Sequence, residues 1–168
     1  MRRFFLPLFL ALSAAALGFI VVSAGALPER VASHFARGGL PNGWTTRGSY
    51  LTVVAFSATL LPLATVLLLS VVTRVLPRAL NMPNRDYWLA PERREATRAA
   101  LAGFGWAFAC ILTLFFAGIH WTILDAHTNA PPRLAEAPVH ALVIGFAIAV
   151  AVWVVALILR FRSTLDGR

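Results

Sequence analysis

The sequence predicts an all-α integral membrane protein with four transmembrane helices and both termini in the cytoplasm. Three observations predict it. Hydrophobic residues make up 59% of the 168 and charged residues only 13%, outside the range of soluble domains. The apolar residues also fall in four runs free of Asp, Glu and Arg, at 4–28, 48–73, 99–124 and 138–159. Each reaches the roughly 20 residues that a helix needs to cross about 30 Å of hydrocarbon. Finally, the arginines are unevenly shared between alternate sides of these runs. One side takes eleven (Arg2, Arg3, six within 74–98, then Arg160, Arg162 and Arg168), and the other takes Arg30, Arg37, Arg47 and Arg133. The positive-inside rule then sets the orientation. The chain forms one domain over residues 1–168, with spans at about 4–27, 49–73, 99–124 and 138–159.

The first span follows the basic pair Arg2-Arg3. Ala24-Gly25-Ala26 resembles a signal-peptidase site, but the apolar core from Phe4 to Ser23 exceeds the about 7–15 residues of a signal peptide. An uncleaved anchor is expected; cleavage would leave three spans in the same orientation. The second span contains Pro62, which removes a backbone hydrogen bond and predicts a kink that membrane helices tolerate. The third and fourth spans carry small residues at every fourth position: Ala99, Gly103 and Ala107, then Ala141, Gly145 and Ala149. Such stripes let helices approach closely and offer faces for oligomerisation. Antiparallel threading puts these two stripes at different depths, so Ala14 and Gly18 of the first span are the expected partners of the fourth.

Between the first two spans lies a polar outer loop, residues 27–47. Pro28-Glu29 suits the start of a short helix reaching about Phe35. The alternative is a surface hairpin anchored by Phe35 and Trp44. Gly38-Gly39 and Pro41-Asn42-Gly43 are turn chemistry. The cytoplasmic loop, 74–98, holds an interfacial aromatic pair, Tyr87-Trp88. Pro91 is placed as the first residue of a helix that continues into the third span. On it, Arg94 and Arg98 share a face suited to anionic head groups.

The net charge of +8 belongs to these membrane-flanking arginines and implies no nucleic-acid partner. All fifteen basic residues are Arg, which a GC-rich coding bias accounts for. The lone cysteine, Cys110, lies mid-span and excludes an intramolecular disulfide. No Asp, Glu or Arg occupies any span, so a proton relay or ion-coupled transporter is disfavoured. Nothing resembles a phosphate loop, a nucleophile motif or a paired carboxylate, so no enzymatic activity is expected.

Two site readings follow. In the first, a peptide, toxin or protein partner binds through His34, Phe35 and Trp44 outside, through Asn84, Asp86, Tyr87 and Trp88 inside, or through both. In the second, the histidines, all on the outer side, supply a zinc-like metal site from His34, His120 and His127, with Asp125 nearby; otherwise no cofactor is expected. A structural subunit of a larger membrane complex is a third reading.

The order Pro28, His34-Phe35, Gly39, Asn42-Gly43 and Arg47 resembles the N-terminal membrane domain of the SdpI-like immunity proteins, a bacterial domain of unknown function. The turn Asn81-x-Pro83-Asn84-Arg85-Asp86-Tyr87-Trp88 is similar to one found in a related subgroup before the third span. The resemblance implies a bacterial inner-membrane location and a role like toxin immunity or capture of a repressor. The immunity proteins carry a further membrane region beyond the part that matches.

Overall fold

The protein is described by a computed structural model over residues 2–75 and 83–162. Arg78, Asn81 and Arg168 lie outside the described residues. Helix α1 spans Arg2–Ser23, and after a 3₁₀ turn at Ala24–Ala26 come strands β1 (Arg30–Phe35) and β2 (Pro41–Thr46). Helix α2 follows at once, Arg47–Val75, then the single turn α3 (Arg85–Trp88), the long helix α4 (Arg94–Ala126) and α5 (Glu136–Arg162). Four of these helices are long and apolar enough to cross a membrane. The predicted four-span architecture is therefore found, and an even number of crossings brings the start of α1 and the end of α5 to one face.

The core consists of three clusters along the bundle. At the hairpin end, Ala16 and Ile20 of α1 meet Val31, Tyr50, Val54 and Ile123. In the middle, Phe9 packs with Val66, Ala109 and Cys110. At the arginine-rich end, Trp88 packs with Leu101, Phe104 and Phe161. This order makes α1 and α4 run the same way, with α2 opposed to both. Lipid is as apolar as these side chains, so close packing holds the helices together more than escape from water does. Gly105 provides such a contact, since a Cβ there would lie 3.3 Å from Leu69 and 3.8 Å from Val66. Pro62 is buried within α2, which runs through it to Val75.

Helix α4 is central, touching α1, α2 and α5. Helix α5 packs on α4 through Phe115–Phe146 and Phe108–Trp153 ring contacts, and Phe161 is its only buried residue. The expected meeting of Ala14 and Gly18 with the fourth span does not occur: both are exposed, and α1 packs instead on α4 and α2. Bulky contacts decide this, with Phe9 against Trp106 and Phe19 against His120. The stripe Ala141, Gly145 and Ala149 borders a shallow apolar groove with Phe115 of α4, and a side chain at Gly145 would meet nothing within 4 Å.

Candidate functional site

The short helix expected after Pro28 is replaced by an antiparallel hairpin, pairing Arg30 with Thr46, Val31 with Thr45, Ala32 with Trp44 and His34 with Gly43. The reason is local. A helix of under ten residues is marginal alone, whereas Val31, Phe35, Trp44, Thr45 and Thr46 suit a pleated surface. The Arg47 N–H donates to the Glu29 carbonyl at 2.8 Å, so α2 begins where the ladder ends. Register shifts flank His34, marking bulges that bend β1. Val31 and Ala32 are adjacent and both fully buried, so the strand is covered on both faces there.

The hairpin is tied down by the second loop on the same side. The Ala32 N–H donates to His127 Nε2 at 3.0 Å, while His127 Nδ1 lies 2.8 Å from the Ile123 carbonyl. These partners require the Nδ1–H tautomer, and both ring nitrogens are then used. At the tip, the Gly38 N–H donates to Glu136 Oε1 at 2.9 Å and the Leu134 N–H to the Gly39 carbonyl at 2.9 Å. Gly39 has φ +77°, and a side chain there would run into the Leu134 carbonyl. Only glycine meets both demands.

Below the hairpin, His120 is fully buried among three helices. Its Nε2 lies 2.9 Å from Ser23 Oγ, its Nδ1 lies 3.0 Å from the Tyr50 hydroxyl, and its ring faces Phe19 edge-on. The Ser23 hydroxyl donates to the Phe19 carbonyl at 2.6 Å, so Ser23 Oγ must accept from Nε2–H. Nδ1 is then left to accept from Tyr50 O–H. The result is a directional chain from α2 through α4 to α1 that ends on a backbone carbonyl.

These bonds bear on the two sequence readings. His34 stands exposed on β1, with its Nδ1 3.1 Å from Ser33 Oγ. The structure does not bring His34, His120 and His127 together, and among the described residues no group of three His, Cys, Asp or Glu side chains is placed to hold a metal. Phe35 is half-buried against the hairpin-end core. Trp44, 46% exposed, and Leu40, 56% exposed, are the large apolar side chains that the hairpin presents outward.

The inner aromatic pair is also corrected. Trp88 is 2% exposed. Its Nε1–H donates to the Phe161 carbonyl at 2.8 Å, its ring meets Phe161 edge-on, and the Arg160 guanidinium lies over it at 4.8 Å. Asn84 adopts φ +49° and its amide donates to the Arg162 carbonyl at 2.6 Å. Asn84 and Trp88 thus clasp the end of α5. Tyr87 packs against Trp88 and lies under Arg93 at 4.0 Å, which leaves Asn84 and Asp86, the latter 97% exposed, as the exposed residues of the four. Helix α4 begins at Arg94, three residues after Pro91, because the Ala90 carbonyl first takes the N–H groups of both Arg93 and Arg94. Thr97 Oγ1, donating to the Trp88 carbonyl at 2.7 Å, locks that turn to the helix.

Together these features define a multi-pass membrane protein with a small hairpin at one end and an arginine-rich face at the other. Compared with known proteins, the chain matches no family model, no curated protein and no solved structure.

Proposed function

We propose that the chain is a non-enzymatic protein of a bacterial inner membrane that binds a peptide, toxin or protein partner on its outward-facing hairpin. One observation carries this reading: β1 and β2 form a sheet of two strands, which leaves the far edge of β2 unpaired beside Trp44. Outside the hairpin's own ladder, the backbone groups of 42–45 make no backbone hydrogen bond to another part of the chain among the described residues. Such an edge takes an added strand through main-chain bonds, and exposed side chains supply the selectivity. His34 and Trp44 are the recognition residues of the outer site. The resemblance to the SdpI-like immunity domain, carried by hairpin residues His34-Phe35, Gly39 and Asn42-Gly43, supports a toxin-immunity-like partner.

The test is a photo-crosslinker at Asn42 in native membranes, with Val53 on the lipid-facing side of α2 as control. A discrete adduct at Asn42, absent at Val53 and lost in His34→Ala/Trp44→Ala, is the expected outcome. An adduct indifferent to the double substitution, or none at all, rejects the hairpin as a binding site. A structural-subunit role is favoured by one separate observation, the bare stripe around Gly145. In that case Gly145→Leu disrupts a larger complex on native gels while the hairpin substitutions leave it intact.

A further inference from the structure

A second feature, independent of the hairpin reading, lies at the opposite end. On the arginine-rich side of the Gly105 contact, α2 and α4 leave between them a groove of about 640 Å³. Its walls are apolar toward the bundle centre, with Val66, Leu69, Ala102 and Trp106, and its mouth holds Arg74 and Arg98. Neither arginine makes a hydrogen bond or ion pair among the described residues. Arg98 Nε is buried and without a hydrogen-bond partner. A guanidinium nitrogen withdrawn from water and left unpaired is costly, so the site is complete only with an acceptor. Glu95 also borders the groove, one helical turn from Arg98, yet it forms no bridge to either arginine.

The sequence pairs Arg98 with Arg94 as a head-group face, but Arg94 is exposed and its Nε reaches back toward the Leu89 carbonyl at 3.4 Å. Arg98 is matched instead across the groove by Arg74 of α2. Two arginines from different helices suit the planar, two-pronged recognition of a phosphate. The outer lip of the groove is apolar, with Leu67 56% and Val71 55% exposed. In a transmembrane helix that lip faces acyl chains. We propose that this groove holds one anionic phospholipid, with its phosphate between Arg74 and Arg98 and the upper part of one acyl chain along the Val66–Trp106 wall.

The test uses the full chain, delipidated in detergent and titrated with short-chain phosphatidylglycerol while native mass spectrometry counts bound lipid. A single phosphatidylglycerol should bind in preference to phosphatidylcholine of the same chain length. Arg98→Gln and Arg74→Gln should each weaken it about five-fold. Arg98→Lys should keep part of the affinity, Glu95→Gln should raise it, and Arg94→Gln should leave it unchanged. Ala102→Phe, which fills the apolar wall, should weaken the lipid while both arginines remain. The proposal is overturned if phosphatidylcholine binds equally, or if Arg94→Gln costs as much as Arg98→Gln. It is also overturned if inorganic phosphate competes at the lipid's own affinity and Ala102→Phe has no effect, which would make the site one for a free anion.

Discussion

The two ends of the bundle handle their polar groups in opposite ways. At the hairpin end, His120, His127, Arg47 and Glu136 are each joined to another part of the fold, with Arg47 Nη1 donating to the Leu27 carbonyl at 3.0 Å. At the other end, Trp88 and Asn84 form a clasp, but Arg74 and Arg98 have no partner among the described residues. The lesson is that conspicuous residues differ in what they are free to do. Of the histidines that look like ligands in the sequence, His120 joins helices and His127 ties down the hairpin, while two arginines that look like ordinary flanking charge remain open to a ligand.

The strongest way to break this contrast is His120→Leu. It strands the Tyr50 hydroxyl in a buried site and disturbs packing, so thermal unfolding in detergent should show a loss of about 3 kcal/mol. His34→Ala is the control and should change stability by less than about 0.5 kcal/mol. Equal effects at the two positions would mean that His120 is no more structural than His34. Next comes Gly39→Ala, which sets a Cβ against the Leu134 carbonyl at a positive φ. It should cost about 2 kcal/mol and raise proteolytic cleavage within the hairpin; an unchanged digestion pattern would contradict the tether between the loops. The smallest of these effects is Trp88→Phe, which keeps an aromatic ring, though a smaller one, but removes the N–H that bonds the Phe161 carbonyl. A loss of about 1 kcal/mol with faster amide exchange in the last turn of α5 is expected, and unaltered exchange there would mean that the clasp does not hold that helix end.

Charge-free runs and arginine placement made the four helices legible, because a bilayer imposes length and composition on whatever crosses it. The hairpin was less legible. Pro28-Glu29 reads as a helix start, and the bulges beside His34 break the alternation that would have marked β1. Val31, Trp44, Thr45 and Thr46 were the available signal. The buried network was not legible at all: Ser23 and His120 are 97 residues apart, and no local pattern joins them. Trp88 misled for a related reason. A tryptophan beside a span suits an interface equally well in lipid or in protein, and only the return of α5 to Phe161 decides between them.

The fastening of α5 has a further consequence. The hairpin tip holds its beginning through Glu136, Asn84 and Trp88 hold its end, and aromatic contacts with α4 line one flank between. Its opposite flank, with Ile144, Ile148 and Val155 exposed, contributes nothing to the internal architecture. Whatever covers that flank can therefore come and go by lateral diffusion while the rest of the molecule keeps its shape. Neighbours in the bilayer can be exchanged along α5 without refolding.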